Sequence, residues 1–484
     1  MKNKLEAMKK ICNNLELNAK PIHQWDCKFH LAPKTGWLND PNGLCQFKGL
    51  YHIFFQYSPF DTKPGINYWG HYSTKDFINY TYHVPALYVD ENFDCHGVYS
   101  GSALIENNTM NLFYTGNVKQ CGDFDYTYKG REQNTIKITS NDAFNFSQKK
   151  LLMTNENYPK DCSCHVRDPK VWKENNIYYM VLGSRTINDI GEVLLYSSKN
   201  LDDWQLINRI STKEKFGYMW ECPDMFKIND TQILAISPQG IKPNGFKYNN
   251  IYQSGYFTIN GDFTKDYELS EFTEYDCGFD FYAPQSFIDE KGRRILIAWF
   301  GLPDLDGLYS NPTDKECGRV HILTTPRELS INENGKLCQY PIREINSLKL
   351  DENQLEVHNN VKIPNLTTFS ADINTHQCEN FLITIREDCN IKYKDETFTL
   401  SFGKSGMGRT ERSATIKNID SIYILCDTSC IEIFINHGEY VFSSRFYPNN
   451  TMQGLTVQEI SGKININYSN LKGFNITNEM EENQ

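Results

Sequence analysis

Several things are missing from this 484-residue chain. No apolar stretch approaches the ~20 residues of a membrane-spanning helix, which excludes a helical integral membrane protein. Met1–Lys20 is charged and lacks an apolar run of ~7 residues, which predicts no export signal. Lysine and arginine form no stripe, and the net charge is −11. That excludes the electrostatic footprint of a nucleic-acid binder, and the acidic balance otherwise bears on solubility. The cysteines number 15 and follow no regular frame. With no export signal they read as reduced thiols in a cytoplasm. Cys121 and the Cys162-Ser163-Cys164 stretch are the candidate ligands, but nothing supplies the paired spacing of a zinc site, so no metal is expected.

What is present is a globular composition, 39% hydrophobic and 23% charged. The length exceeds what one core usually spans, and about two domains are expected. Aromatic residues make up 13%. They suit strands, and they serve either as β-rich core or as flat platforms for sugars.

Leu5, Met8, Ile11 and Leu15 fall at helical spacing, so residues 1–24 are expected to form a short, helical lead. Short β-type runs then recur between turn residues, at Tyr51–Tyr57, Asn111–Thr115, Ile177–Leu182, Gln232–Ile236 and Arg294–Phe300. Their spacing is about 60 residues, and a four-stranded blade with its loops needs about 40–60. The pattern predicts an all-β fold with a five-bladed β-propeller over 25–343. A polar, leucine-dotted linker follows at 344–354. Alternating runs at Phe381–Ile385 and Ile431–Asn436 then predict a β-sandwich over 355–476, with a hairpin through Asn436-His437-Gly438. Residues 477–484 are expected to be a frayed polar tail.

Three carboxylates sit in specific surroundings: Asp40 in Trp-Leu-Asn-Asp-Pro-Asn-Gly, Asp168 in Arg-Asp-Pro, and Glu221 in Trp-Glu-Cys-Pro. A nearby proline restricts the backbone and holds a strand-end carboxylate in one pose, although a single Asp-Pro is ordinarily just a turn. Asp40 and Asp168 lie 128 positions apart and Glu221 53 further on, about two blades and one blade. Inner strands of a propeller face one axis, so the three would converge. Glycosidase chemistry needs one ionised carboxyl and one protonated carboxyl, ~5–5.5 Å apart in a retaining enzyme. Asn39 and Asn42 would keep Asp40 ionised, and Trp220 would partly desolvate Glu221. Asp168 would hold sugar hydroxyls and stabilise the oxocarbenium-like transition state.

These motifs resemble glycoside hydrolase family 32, which contains invertases, fructan hydrolases and sucrose-6-phosphate hydrolases. Further matches follow in family order at Phe55-Gln56-Tyr57, Trp69-Gly70-His71, Tyr99–Ser102, Tyr114–Asn117, Phe279–Gln285 and Ala298-Trp299. The resemblance runs from about Phe29 to Tyr340 and resumes weakly near Ile431 to Pro448. It implies a five-bladed propeller followed by a β-sandwich and a retaining mechanism. By resemblance Asp40 is the nucleophile, Asp168 the transition-state stabiliser and Glu221 the acid/base. Implied substrate contacts are Asn39, Gln56, Trp69, Tyr99, Ser100, Arg167 and Trp299; Trp69 and Trp299 serve equally well as blade packing. Pro64 replaces a tryptophan that walls the sugar site in many members, so the wall is expected from Phe60 or Trp69. Tyr99 stands where phenylalanine is common.

The resemblance implies a terminal β-D-fructofuranosyl residue as the group cleaved. Together with the expected cytoplasmic location it favours sucrose 6-phosphate or sucrose. Lys63, His71 and Lys170 are phosphate candidates by charge and place. Three readings stay open beside this one: a fructan hydrolase or fructosyltransferase, an inverting glycosidase with carboxylates ~6.5–9.5 Å apart, and an inactive carbohydrate-binding protein on the same scaffold. No cofactor is implied, and the partner is a small-molecule sugar. A homodimer through the sandwich domain, using the edge of the Ile431–Phe442 hairpin, is one arrangement the pattern allows.

Overall fold

The apolar runs legible in the sequence become the second strand of each of five successive sheets. In the computed structural model, residues 2–450 and 454–479 are described. The first sheet holds Gly36–Phe47, Leu50–Ser58, Tyr68–Thr74 and Asn79–Leu87, and the second Val98–Glu106, Thr109–Lys119, Arg131–Ser140 and Lys150–Met153. The third holds Cys162–Glu174, Ile177–Thr186, Gly191–Ser198 and Gln205–Ile210. The fourth starts with Met219–Ile228, Thr231–Gln239 and Gly255–Gly261, and the fifth with Tyr282–Ile288 and Arg294–Phe300. Second strands such as Ile53, Leu112, Val181, Leu234 and Ile297 are fully or almost fully buried, because each sheet packs on both faces. The first strands touch one another in a ring, and Tyr282–Ile288 returns to Gly36–Phe47. This is a β-propeller. Arg319–Val320 pairs parallel with Gly36–Trp37 and ties the end of the ring to its beginning.

Every first strand breaks register at the same place: Leu38/Pro41, Val98/Gly101, Arg167/Lys170, Glu221/Asp224 and Tyr282/Gln285. The bulge residues are Asn39-Asp40-Pro41-Asn42, Tyr99-Ser100-Gly101-Ser102, Arg167-Asp168-Pro169-Lys170, Glu221-Cys222-Pro223-Asp224 and Tyr282-Ala283-Pro284-Gln285. Proline or glycine holds the third position of each, where a bulge leaves a ladder donor unused. Asp168, Cys222 and Ala283 adopt φ of 64°, 47° and 48°. At Gly101 an added Cβ would lie 1.9 Å from the carbonyl oxygen of Phe113, so only glycine fits between these two strands.

The C-terminal block is one ten-stranded curled sheet, where the sequence pattern predicts a sandwich. Two long strands, Phe369–Ile385 and Leu455–Asn470, pair along most of their length with register shifts between Asn374 and Leu382. The first half of Phe369–Ile385 also pairs with Ser421–Cys426 and its second half with Cys389–Lys394. The sheet therefore curls through its own strands and closes on an apolar core of Ile373, Ile383, Phe398, Ile424, Ile433 and Phe442. Asn436 and His437 turn the expected hairpin with φ of 50° and 55°. Its outer strand is not a free edge for a second copy. Cys277 N–H donates to Val441 O and Asp280 N–H to Ser443 O, so the propeller of the same chain occupies it.

The helix Lys2–Leu17 packs on the first sheet, where Tyr57 and Tyr82 hydroxyls donate to Glu16 at 3.0 and 2.7 Å. Within the expected linker, Arg343–Leu348 is a 3₁₀ turn that buries Ile345 and Leu348, and Asn353 already starts a strand. The expected tail differs as well: Asn475–Asn478 adds a parallel edge strand beside Asn79–Tyr82, which satisfies backbone that would otherwise fray. Residues 480–484 lie outside the described residues. Among the described residues, no helix is long and apolar enough to cross a membrane.

Fully buried charges join the two parts. Arg409 grips Asp280 through two 2.7 Å bonds. Arg327 binds Glu432, and His30 bridges Asp427 and Glu432 at 2.9 and 2.8 Å. Burial alone would discharge His30, but its two carboxylate partners prevail and raise it to about 10.

Candidate active site

The five bulges face the propeller axis and bring together side chains that are hundreds of residues apart. Asp40 Oδ2 accepts from Ser100 Oγ at 2.5 Å, and its Oδ1 accepts from Asn39 Nδ2 at 3.1 Å. Trp37 orients Asn39 by donating its indole N–H to Oδ1 at 2.9 Å. Asp168 Oδ2 accepts from the Cys222 N–H at 2.9 Å, while its own N–H donates to Thr115 Oγ1. The Cys222 thiol lies between the two aspartates, 3.5 Å from Asp40 Oδ2 and 3.6 Å from Asp168 Oδ2.

Glu221 completes the group. Its Oε2 accepts from Tyr282 at 2.6 Å and Gln239 at 2.8 Å, and its Oε1 from Arg167. The Arg167 Nε is also 3.7 Å from Asp168 Oδ2. One buried guanidinium therefore spans two of the three carboxylates. Asp40 and Glu221 both remain partly exposed, so the centre opens to solvent.

Three carboxylates against one guanidinium raise the cost of ionising them all. Burial pushes the Asp40 carboxyl up, hydrogen bonds from Ser100, Asn39 and Cys222 pull it back, and the charge of Glu221 adds to the rise. Asp168 is raised to about 7 by burial, with the charges of Glu221 and Asp40 adding to it and Arg167 opposing.

Some expected contacts fall elsewhere. Trp220 is on the opposite face of its strand from Glu221, as strand alternation requires. It is buried among Val181, Leu195 and Phe257, and Tyr282 and Arg167 flank Glu221 in its place. Asn42 does not reach Asp40; its Oδ1 accepts from Gly101 N–H. Trp69 is fully buried and donates to Tyr99 O, which gives it the packing role between the sheets. Phe60 is exposed against Tyr68. Gln56 is buried and donates to Val98 O, which places it behind the second bulge. Trp299 is 2% exposed and stands edge-on to Trp37, the half-buried ring nearest Asn39.

Of the phosphate candidates, His71 is buried against His52, and Lys170 is buried on Asp224, Gln285 and Ser286 beneath the carboxylates. Neither faces the opening, and Lys63 is exposed. Tyr282, Gln239, Cys222 and Trp37 were not singled out from the sequence. The signal that finds Tyr282 and Cys222 is the repeated four-residue bulge with proline or glycine third.

A group able to ligate a metal lies apart, at Cys27, His30, Asp427 and Cys430, with ligand atoms within 4.8 Å of one another. Both ring nitrogens of His30 are already bonded to carboxylates there.

The glycosyl hydrolases family 32 N-terminal domain model matches residues 30–341 and the family 32 C-terminal model residues 338–474. The chain belongs to glycosyl hydrolase family 32. This family-32 glycosidase is 40% identical over 447 residues to a sucrose-6-phosphate hydrolase of Bacillus subtilis, covering 89% of this chain and 90% of that one. It superposes on the sucrose-6-phosphate hydrolase of Lactobacillus gasseri with a TM-score of 0.86, at 26% identity and 97% coverage of both chains. A Bombyx mori family-32 β-fructofuranosidase mutant, solved in complex with sucrose, matches with a TM-score of 0.81 and 27% identity, covering 97% of this chain and 98% of that one.

Proposed function

We propose that this family-32 glycosidase releases the terminal β-D-fructofuranosyl residue of sucrose 6-phosphate or sucrose with retention of configuration. The observation that carries the reading is the convergence of Asp40, Asp168 and Glu221 from three sheets, linked through Cys222 and Arg167. Asp40, held by Ser100 and Asn39, attacks the anomeric carbon and forms a fructosyl-enzyme ester. Glu221 gives its proton to the departing glycosidic oxygen. The three donors from Tyr282, Gln239 and Arg167 then stabilise the carboxylate that remains, which next takes a proton from the attacking water. Asp168, with Arg167 beside it, binds sugar hydroxyls and the positive charge that develops on the ring.

The five sheets are read as five blades, since five bulges share one ring, and the curled sheet as a closed sandwich. The propeller at 25–343 and the C-terminal domain at 355–476 are read as separate folding cores on a shared charged interface. A phosphorylated disaccharide is met after uptake, so a cytoplasmic location belongs to this proposal. No cofactor enters it.

The test compares kcat/KM on sucrose, sucrose 6-phosphate and inulin for the wild type, Asp40→Ala and Glu221→Gln. Proton NMR of freshly released fructose reads the anomer. Both variants are expected to lose at least about 1000-fold while folding normally. Full activity in either, or inverted fructose, overturns the assignment.

A further inference from the structure

Beside Arg167 a second guanidinium stands with a buried donor that has no acceptor. Arg131 opens the third strand of the second sheet, at Arg131–Ser140, and is half-buried. Among the described residues no carboxylate lies within ion-pair distance of it. Its Nε is buried with no partner, and among the described residues its side chain hydrogen-bonds to His165, with Nη1 3.4 Å from Nε2. The other ring nitrogen of His165 faces Arg167 Nη1 at 2.5 Å. Two guanidiniums thus point donors at both nitrogens of one imidazole. Burial, reinforced by Arg167, Arg131 and Arg185, keeps that ring uncharged. A neutral imidazole accepts at only one nitrogen, so one of the two guanidiniums lacks an acceptor there.

The neighbouring acids do not supply one. Asp189 is engaged by Arg185 and Tyr128, Asp125 accepts from the N–H groups of Thr127 and Tyr128, and Glu132 accepts from Gln120. Lys119, the cross-strand partner of Arg131, adds another exposed cation. His165 precedes Arg167 by two residues on one strand, so it stands on the same face and about 6.6 Å further along. Arg167 touches Glu221, which places Arg131 and His165 about one sugar ring out from the group that protonates the leaving oxygen. Burial raises the Tyr99 hydroxyl, and it feels the charges of Arg131 and Arg167 as well as those of Asp168 and Glu221, so the two zones are electrostatic neighbours.

We infer that Arg131, with His165, forms the subsite for a phosphoryl group on the leaving sugar. A phosphate dianion supplies the acceptors that this cluster lacks, and a guanidinium fork matches its geometry. The inference rests on the fructosidase reading above and names what separates a phosphorylated substrate from a neutral one. Arg131→Gln is expected to lower the ratio of kcat/KM for sucrose 6-phosphate to that for sucrose roughly fifty-fold, carried mainly by KM. Arg131→Lys, which keeps the charge but not the fork, should retain an intermediate ratio. Inorganic phosphate should inhibit the wild type in competition with sucrose 6-phosphate and inhibit Arg131→Gln far less. A ratio unchanged in Arg131→Gln, in a variant with wild-type melting, overturns the subsite while leaving fructosidase activity in place. A wild type that cleaves neither sugar overturns the underlying reading.

Discussion

Replacing Ser100 by alanine isolates one bond at the reacting centre. The Ser100 hydroxyl donates to Asp40 Oδ2 at 2.5 Å, and Ser100 is itself 5% exposed, so water does not readily take its place. A hydrogen bond to a charged group contributes about 1.5–3 kcal/mol. Losing it penalises the ionised Asp40 relative to the protonated form by roughly ten- to a hundred-fold. Burial and Glu221 already push Asp40 up, and Ser100 heads the groups that pull it back. The sign follows: without Ser100 the proton binds more tightly, the proposed nucleophile Asp40 is ionised only at higher pH, and the acid limb of kcat/KM moves upward. The assay is a pH profile of kcat/KM on sucrose for wild type and Ser100→Ala, with circular dichroism as the folding control. An acid limb that stays in place while activity falls would show that Ser100 acts through substrate contact, and the electrostatic argument would be wrong.

Tyr282→Phe removes one of three donors to Glu221. Its kcat on sucrose should fall about tenfold with KM little changed, and a wild-type kcat would remove Tyr282 from the machinery. Gly101→Ala drives a Cβ into the Phe113 carbonyl and should destabilise the propeller by about 3 kcal/mol, read as a lower Tm and poor soluble yield. The interdomain network sets a pH dependence of stability. His30 is raised to about 10, so its contribution is complete below its ordinary value near 6.5 and is lost as pH rises toward 10. Glu432 is lowered to about 2, mainly by Arg327 and His30 against burial, so its share is present above about 4.5 and is lost as pH falls through 2. Thermal melts between pH 6 and 10 should decline for the wild type, and His30→Gln should flatten that slope; an equal slope in both would remove His30 as its origin.

The strands that the sequence reveals are those that bury both faces. Ile177–Leu182 and Arg294–Phe300 are continuous apolar runs because other sheets cover them on each side. The strands that carry the proposed active site are harder to see. Asp40, Ser100, Asp168, Glu221 and Tyr282 lie in segments broken by proline or glycine and rich in polar groups, which propensity reads as turns. Motif context singled out Asp40, Asp168 and Glu221 despite this, and the structure brings the three together. It misjudged Trp220, because the next residue along a strand points to the other face; Asn42 instead accepts from Gly101 across the bulge, and Trp69 takes the packing role that was open to it. The hairpin at Ile431–Phe442 was legible as a hairpin, but its covering by Cys277 and Asp280 was not.

By itself the sequence determined the all-β class, the recurrence of about 60 residues, the hairpin at Asn436–Gly438 and the three acidic residues in their proline-bounded settings. These follow from local rules: side-chain periodicity, backbone restriction by proline and glycine, and turn chemistry. The tertiary structure alone decided that Tyr282, Gln239 and Arg167 share Glu221, that a thiol sits between two aspartates, and that no carboxylate among the described residues pairs with Arg131. Gln239 apart, which comes from the neighbouring strand, those facts depend on which side chains meet across sheets about 50 to 180 residues apart, and the energy of a charge is set by what surrounds it in space, which no window along the chain contains.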